Sequence, residues 1–296
     1  MLYNIKYFIR RKMMNKVKII ADSTCDLSKE IIEKYDITII PLCIVLDEKS
    51  YFDGEEITPD EIYAWSDEKK TTPKTAAVTF DRVAAEYKKY AGAGNDVIFF
   101  GISSQMSTTC NVARIVAEDE GYDRVFVIDS QSISTGIGLQ VVRAAEMAQA
   151  GKSAEEIVEE IEGAREKVRA SFVVDTLTFL ARGGRCSSVA ALVGNTLKLH
   201  PQIVVKDGKM GAAKKFRGKM TMVLTDYFND LKPALVEADP RRVFITHSGC
   251  DDEIVEMVKG KVEELGVFEE ILVTRAGGVV SSHCGPNVLG ILFYEK

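Results

Sequence analysis

Ser103, Ser104, Ser107, Thr108, Thr109 and Cys110 crowd into the stretch GISSQMSTTC, residues 101–110, directly after the apolar run Val97 to Phe100. Hydroxyls at that density can serve three ends: a nucleophile nest, a cradle for an anion, or the cap of the helix whose periodicity follows near Val112. One of Ser107, Thr108 and Thr109 is needed as that cap, because the first N–H groups of a helix have no partner within it. The remaining hydroxyls need another account.

Further polar clusters stand at the ends of predicted elements. Asp22, Ser23 and Thr24 follow the first strand in ADSTCD, and TTPKTAAVT (71–79) leads into a helix beginning at Phe80. GGRCSS (183–188) and SSHCGPN (281–287) form a pair in the second half. Ligands of open α/β sheets sit beyond the carboxyl ends of strands, where loops meet helix N-termini. An anion is the natural guest there, since free N–H groups and hydroxyls converge on the positive end of a helix dipole. Structural roles compete at each position. Asp22 or Asp26 suits the cap of a helix over Leu27–Tyr35. Arg185 suits the surface behind two glycines, and His283 suits a satisfied place in the core. His200 and His247 read as structural or surface histidines.

Several reaction classes find no support. A G-x-S-x-G elbow is absent, since GISSQMS spaces its serines differently. No phosphate-loop motif occurs, and the GIG at 136–138 is too short for a dinucleotide fingerprint. Neither HExxH nor any His/Cys spacing suggests a metal. Cys110 and Cys284 stand near candidate loops, but a thiol alone is a poor case for a nucleophile. The residues by themselves lead to an anion-binding cleft between two α/β domains and leave the guest open.

Positioning such loops is the task of the surrounding elements. At 296 residues with 46% hydrophobic and 28% charged content, the chain has ample material for a core and suits two domains. Its 38 basic against 44 acidic residues give a net charge of −6, which disfavours nucleic acid as a partner. Cysteines 25, 43, 110, 186, 250 and 284 are scattered and read as reduced thiols of a cytoplasmic protein. No apolar run reaches the ~18 residues of a membrane span. Residues 1–15 are basic and faintly amphipathic. They read as an extension, disordered or lying before the true start at Met13 or Met14, in preference to a membrane-surface or targeting segment.

Strands are expected at Val17–Ala21, Ile37–Leu46, Val97–Ile102 and Arg124–Ile128, alternating with helices as in a mostly parallel sheet. Thr58, Pro59 and Glu61 form one helix start, and Ser153 with Glu156 another. After the second, Ile157, Ile161, Ala164 and Val168 line one face. From about Ala170 the texture changes: a strand, a short helix stopped at Gly183–Gly184, and a hairpin with Asp207–Gly208 at its tip. Strands at Arg242–Thr246 and Glu270–Thr274 flank a helix over Asp252–Leu265, and Val288–Tyr294 is the last strand. The expected fold is α/β: an N-terminal doubly wound, mostly parallel domain (16–168), then a C-terminal α/β domain with a mixed sheet (169–296).

The motifs IIADSTCDL, PKTAAVT, ISSQMSTT, VIDSQSIS, DTLTFLARGGR, LKLHPQI with DGKM, and HCGPNVLGI occur here in one order, from about Lys16 to Tyr294. In this order the chain resembles the DegV family. That resemblance implies a two-domain DegV-like fold and a fatty-acid-binding protein, not itself an enzyme. Such a protein buries a long-chain fatty acid in a tunnel and presents the carboxylate to a separate fatty acid kinase subunit, which makes an acyl phosphate for phospholipid synthesis in bacteria. It implies no cofactor beyond the bound fatty acid, no metal, and at most transient membrane contact. It also implies that Thr75, Ser107, Arg185 and His283 meet the carboxylate at the domain junction, with Thr108 beside them. Two rival readings stay open: an enzyme acting on a small phosphorylated or carbonyl metabolite, and a regulatory binding module.

The chain departs from the family pattern in places. Thr75-Ala76-Ala77-Val78-Thr79 stands where T-S-Q-P-S is usual, removing a hydroxyl and an amide from the middle of the loop. Ser107-Thr108-Thr109 stands where S-G-T is usual, and loss of that glycine is expected to restrict the backbone. Asn287 replaces a glycine, in a position where Asn tolerates left-handed backbone.

Overall fold

The structure, a computed structural model, describes residues 16–186 and 199–296. The 1–15 extension, and Ser187 and Ser188 of the GGRCSS cluster, lie outside the described residues. The first part of the chain runs β1 (Val17–Asp22), α1 (Lys29–Lys34), β2 (Thr38–Ile40), β3 (Cys43–Leu46), β4 (Lys49–Phe52), α2 (Pro59–Lys69), β5 (Lys74–Ala76), α3 (Phe80–Tyr90), β6 (Asp96–Gly101), α4 (Thr109–Asp119), β7 (Val125–Asp129), α5 (Thr135–Gln149) and α6 (Ala154–Ala164). Four of these strands form a parallel sheet in the order β2-β1-β6-β7. Both its faces are covered, as expected for apolar strands without polar alternation. Ile19, Ile98 and Phe100 face one core, and Ile20, Val97 and Phe99 the other.

Local chemistry explains most boundaries. Thr58 accepts the Glu61 N–H while Glu61 accepts the Thr58 N–H at 2.8 Å, and Ser153 with Glu156 repeats this box. Three expectations need correction. The apolar stretch Ile37–Leu46 is not one strand: it breaks at Pro41, which has no N–H to give a sheet. Its first part joins the parallel sheet, while β3 joins an antiparallel sheet in the order β4-β3-β5. The helix expected over Leu27–Tyr35 begins at Lys29 and is capped by Ser28, whose Oγ accepts the Ile31 N–H. Asp22 therefore does not cap it. Asp22 instead accepts the Thr24 N–H at 2.9 Å at the start of a short turn, Ser23–Cys25, and Asp26 is buried elsewhere. Val168 does not continue the helical face, because α6 ends at Ala164 and Val168 opens the next strand.

The chain continues with β8 (Val168–Val173), α7 (Thr178–Gly183), β9 (Leu199–Lys206), β10 (Lys209–Arg217), α8 (Met220–Val236), β11 (Ala238–His247), α9 (Asp252–Glu263), β12 (Glu270–Arg275), α10 (Gly278–Cys284) and β13 (Leu289–Glu295). They give a six-stranded sheet in the order β10-β9-β8-β13-β11-β12, antiparallel except for the β11–β12 pair. Asp207 (φ 50°) and Gly208 (φ 74°) turn the β9–β10 hairpin with both residues left-handed, as its tight turn requires. Helix α5 lies between the two large sheets, touching β1 on one side and β8, β11 and β13 on the other. It is buried through most of its length, and near its start Gly136 and Gly138 let the side chains of Ser132 and Leu27 come close. One apolar core consequently runs from Ile19 and Phe100 to Phe172, Phe244 and Leu292. Among the described residues, no helix is long and apolar enough to cross a membrane.

Candidate functional site

Thr75, Ser107, Thr108, Arg185 and His283 all line a single cavity of about 470 Å³. Thr75 stands on β5, opposite Ile44 of β3. His283 is in the last turn of α10, a helix packed against α2, β3 and β5. The contact brings His283 Nε2 to 2.8 Å from Thr75 Oγ1. At 8% exposure the imidazole is nearly buried, and burial, with a smaller push from Arg185, lowers its pKa to about 4. The ring is therefore neutral at ordinary pH. It fits because residue 183 is glycine: a Cβ there would lie 2.4 Å from His283 Nδ1.

Ser107 and Thr108 lie just before α4. Ser107 Oγ accepts the Thr109 N–H at 3.3 Å, taking up one of the free N–H groups at the helix start. Thr108 makes no capping bond and has φ −87° and ψ 6°. That backbone suits any residue, so the missing glycine restricts nothing at this position. Arg185 follows Gly184 (φ 68°) and is exposed, with Nη1 donating to the Gly183 carbonyl at 2.8 Å. The loop holding Ser107 is pinned by the hairpin tip: Ser103 Oγ donates to the Gly208 carbonyl at 2.7 Å. The Ser104 N–H donates to Asp129 Oδ1 at 3.2 Å.

Below the polar rim the cavity wall is apolar, with Ile102, Met106, Ile133, Met210, Val279 and Val280. Ile133 and Val280 also border a second, small space of about 30 Å³, walled by Phe172, Val288 and Leu292. A polar mouth with one guanidinium over an apolar floor suits an amphiphilic anion. Cys110 is buried, its Sγ near the Ile102 and Ile128 carbonyls at 3.6 and 3.7 Å, and burial pushes its thiol up to about 12. It packs as a thiol and is not a thiolate. His200 bridges the Val174 and Gly218 carbonyls at 3.3 and 3.2 Å, a structural role as expected. His247 Nδ1 accepts the Cys250 N–H at 3.2 Å.

Sequence reasoning missed several contributors. Met210 and Val280 have no chemical signature, and only the fold places them on the wall. A buried acidic group was read only in part: Asp22 and Asp26 as helix-cap candidates, and Asp53 not at all. Asp26 accepts the Gly277 N–H at 2.8 Å and the Ser134 hydroxyl at 2.6 Å, and Asp53 accepts the Gly278 N–H at 2.7 Å. Burial raises the carboxyl of Asp22 to about 6 and that of Asp26 to about 8, and it also pushes the carboxyl of Asp53 upward. Together Asp26 and Asp53 fix the start of α10, whose other end carries His283.

A family model for DegV proteins matches residues 16–296. A DegV domain-containing protein of Clostridium perfringens is 35% identical over 285 residues, covering 96% of this chain and 100% of that protein. A fatty-acid-binding DegV family protein from Thermus thermophilus is similar in structure, with TM-score 0.86 at 33% identity, covering 95% of this chain and 100% of that one. A stearic-acid-binding protein from Eubacterium ventriosum has TM-score 0.81 at 29% identity, covering 95% and 98%. DegV of Bacillus subtilis, a fatty-acid-binding protein, has TM-score 0.81 at 28% identity, covering 96% and 100%.

Proposed function

From the premise that this chain belongs to the DegV family, we propose that it binds a long-chain fatty acid and presents the carboxylate to a separate kinase. The carrying observation is the convergence of Thr75, Ser107, Arg185 and His283 on one cavity with an apolar wall. Segment 16–168 contributes Thr75, Ser107 and Thr108, and segment 169–296 contributes Arg185 and His283, so the head group lies where the two domains meet.

Burying an acyl chain contributes roughly 10 kcal/mol gross, at about 0.8 kcal/mol per methylene. The carboxylate loses hydration on entry and needs donors in exchange. The hydroxyls of Thr75 and Ser107 and the Arg185 guanidinium offset that loss and hold the head group in one place. Arg185 is exposed at the rim, and a carboxylate gripped there remains reachable by a second protein. Six buried free thiols suit a reducing compartment, in keeping with a cytoplasmic carrier.

Native mass spectrometry of the purified protein, with lipid extraction and acyl-chain analysis, tests this reading. A bound fatty acid, and acyl-phosphate formation on adding ATP and a fatty acid kinase, are the expected results. A protein that carries no acyl chain and takes none up, yet binds a small phosphorylated metabolite, would overturn it.

A further inference from the structure

The two hydroxyls that grip the cavity, those of Thr75 and Ser107, each back onto a buried hydrogen-bonding group. Behind Thr75 is His283, whose Nε2 lies 2.8 Å from Thr75 Oγ1. The other ring nitrogen, Nδ1, is buried and has no hydrogen-bond partner among the described residues. A neutral imidazole carries one N–H. Placed on Nδ1 it would be a buried, unpaired donor, the costlier kind of orphan. Placed on Nε2 it donates to Thr75, and only a lone pair goes unused. Burial and Arg185 keep the ring neutral. Thr75 Oγ1 is thus an acceptor toward His283, and its single proton is left for the cavity.

Ser107 has the same relation to Thr109. Thr109 is fully buried, and its hydroxyl lies 3.0 Å from Ser107 Oγ, its partner among the described residues. The Thr109 N–H donates to the same oxygen at 3.3 Å. A buried hydroxyl proton needs an acceptor, so the Thr109 O–H points to Ser107. The Ser107 proton then turns toward the cavity.

We infer that His283 and Thr109 are positioning residues that make Thr75 and Ser107 proton donors into the cavity, so the site takes a head group that only accepts hydrogen bonds. A carboxylate meets that condition. The primary amide of the same chain presents N–H donors on one side, and its head group meets donors with a donor. The choice of ligand chain rests on the fatty-acid reading above, whereas the ring tautomer does not.

Two measurements on the delipidated full chain test the proposal. Long-range 15N–1H correlation spectra report the tautomer directly, with His283→Gln identifying the signal among the three histidines. The expected result is a neutral ring protonated on Nε2. Competition between stearate and stearamide reports the polarity, with the amide expected to bind about 10- to 100-fold more weakly, as for loss of hydrogen bonds to a charged group. Thr109→Val and His283→Leu should shrink that ratio, and Thr109→Ser and His283→Gln, which keep a donor, should restore it. A proton on Nδ1 in the wild-type protein overturns the proposal, as does an amide that competes as well as the acid. If the ring is protonated on Nε2 but neither compound binds, the fatty-acid reading fails while the donor polarity of Thr75 stands.

Discussion

Asp26 Oδ1 accepts the backbone N–H of Gly277 at 2.8 Å, joining a loop after the first strand to the start of α10, 251 residues later. Asp53 makes the equivalent bond to Gly278 at 2.7 Å, and its other oxygen accepts the Ser23 hydroxyl at 2.8 Å. Carboxylates suit a helix start, where N–H groups are free and the dipole is positive. Their cost is burial, since both side chains are at or below 5% exposure. The charges that act on Asp26 are those of Asp53 and Asp22, which add to the desolvation. The helix so anchored holds His283 against Thr75, so the acidic group sets the geometry of the mouth from the far end of α10.

Asp26 is expected to make stability fall with rising pH. Its carboxyl titrates at about 8 in the folded protein against an ordinary value of 3.8. A raised pKa stabilises the fold fully below about pH 4, and that contribution is lost as the pH rises toward 8. Asp26→Asn removes the titration. Its amide oxygen can still accept from Gly277, while Ser134 turns to accept from the amide nitrogen. Melting curves from pH 4 to 9 should show the variant flatter than the wild type and more stable above pH 8. The gain should be a few kcal/mol, at about 1.4 kcal/mol per tenfold change in proton affinity. A parallel pair of profiles would contradict this.

Gly183→Ala should destabilise the protein although it sits in a helix. Alanine normally improves a helical glycine by about 0.5–1 kcal/mol. Here the added Cβ would lie 2.4 Å from the buried His283 Nδ1, and overpacking of that kind costs about 1–3 kcal/mol. The ring must move, and the Thr75 contact goes with it. The expected outcome is a lower melting temperature together with weaker discrimination of the carboxylate. A stabilised variant with unchanged binding would show that the ring can shift freely.

Elements whose chemistry is local were legible from the sequence, and those set by distant contacts were not. The capping boxes at Thr58 and Ser153 and the Asp207–Gly208 turn depend on neighbours within a few residues, and all form as read. Pro41 was visible in the stretch Ile37–Leu46, but the small antiparallel sheet that captures β3 was not, because its strands come together only through turns and tertiary packing. The polar site residues stood out as an excess of hydroxyls over what caps require. Asp26 and Asp53 carried no such mark, for a single acid in a loop reads as a cap or a solvated residue. Only the approach of α10 from the far end of the chain gives them a purpose.

Thr108 and Asn287 replace glycines of the family pattern with opposite consequences. Thr108 has ordinary backbone angles, φ −87° and ψ 6°, and makes no capping bond. Thr108→Gly should therefore cost about 0.4–1 kcal/mol through the greater freedom of the unfolded chain, with no gain in binding. Asn287 is left-handed at φ 58°. Asn287→Gly should be nearly neutral, and Asn287→Ala should cost about 1–2 kcal/mol. Chemical denaturation of the three variants checks the order, and tighter ligand binding by Thr108→Gly would show that the loop does need a glycine.

Arg185 and Ser107 should matter more for what happens to the head group than for holding the ligand. The Arg185 side chain is exposed and bonds only the Gly183 carbonyl among the described residues, so water already screens much of its attraction for a carboxylate. The apolar wall from Ile102 to Val280 is untouched by either substitution and, on the function proposed above, is expected to supply most of the affinity. Reaction at the carboxylate is more demanding, because charge developing there depends on every donor aimed at it, and loss of one such donor typically costs on the order of 10²-fold in rate. Arg185→Ala and Ser107→Ala should thus lower acyl-phosphate formation with a fatty acid kinase by about 10- to 100-fold. Fatty acid retained through purification should fall far less. Both quantities can be read from one preparation, by lipid extraction before and after incubation with kinase and ATP. An equal loss in the two would show that the head-group donors, and not the wall, hold the ligand.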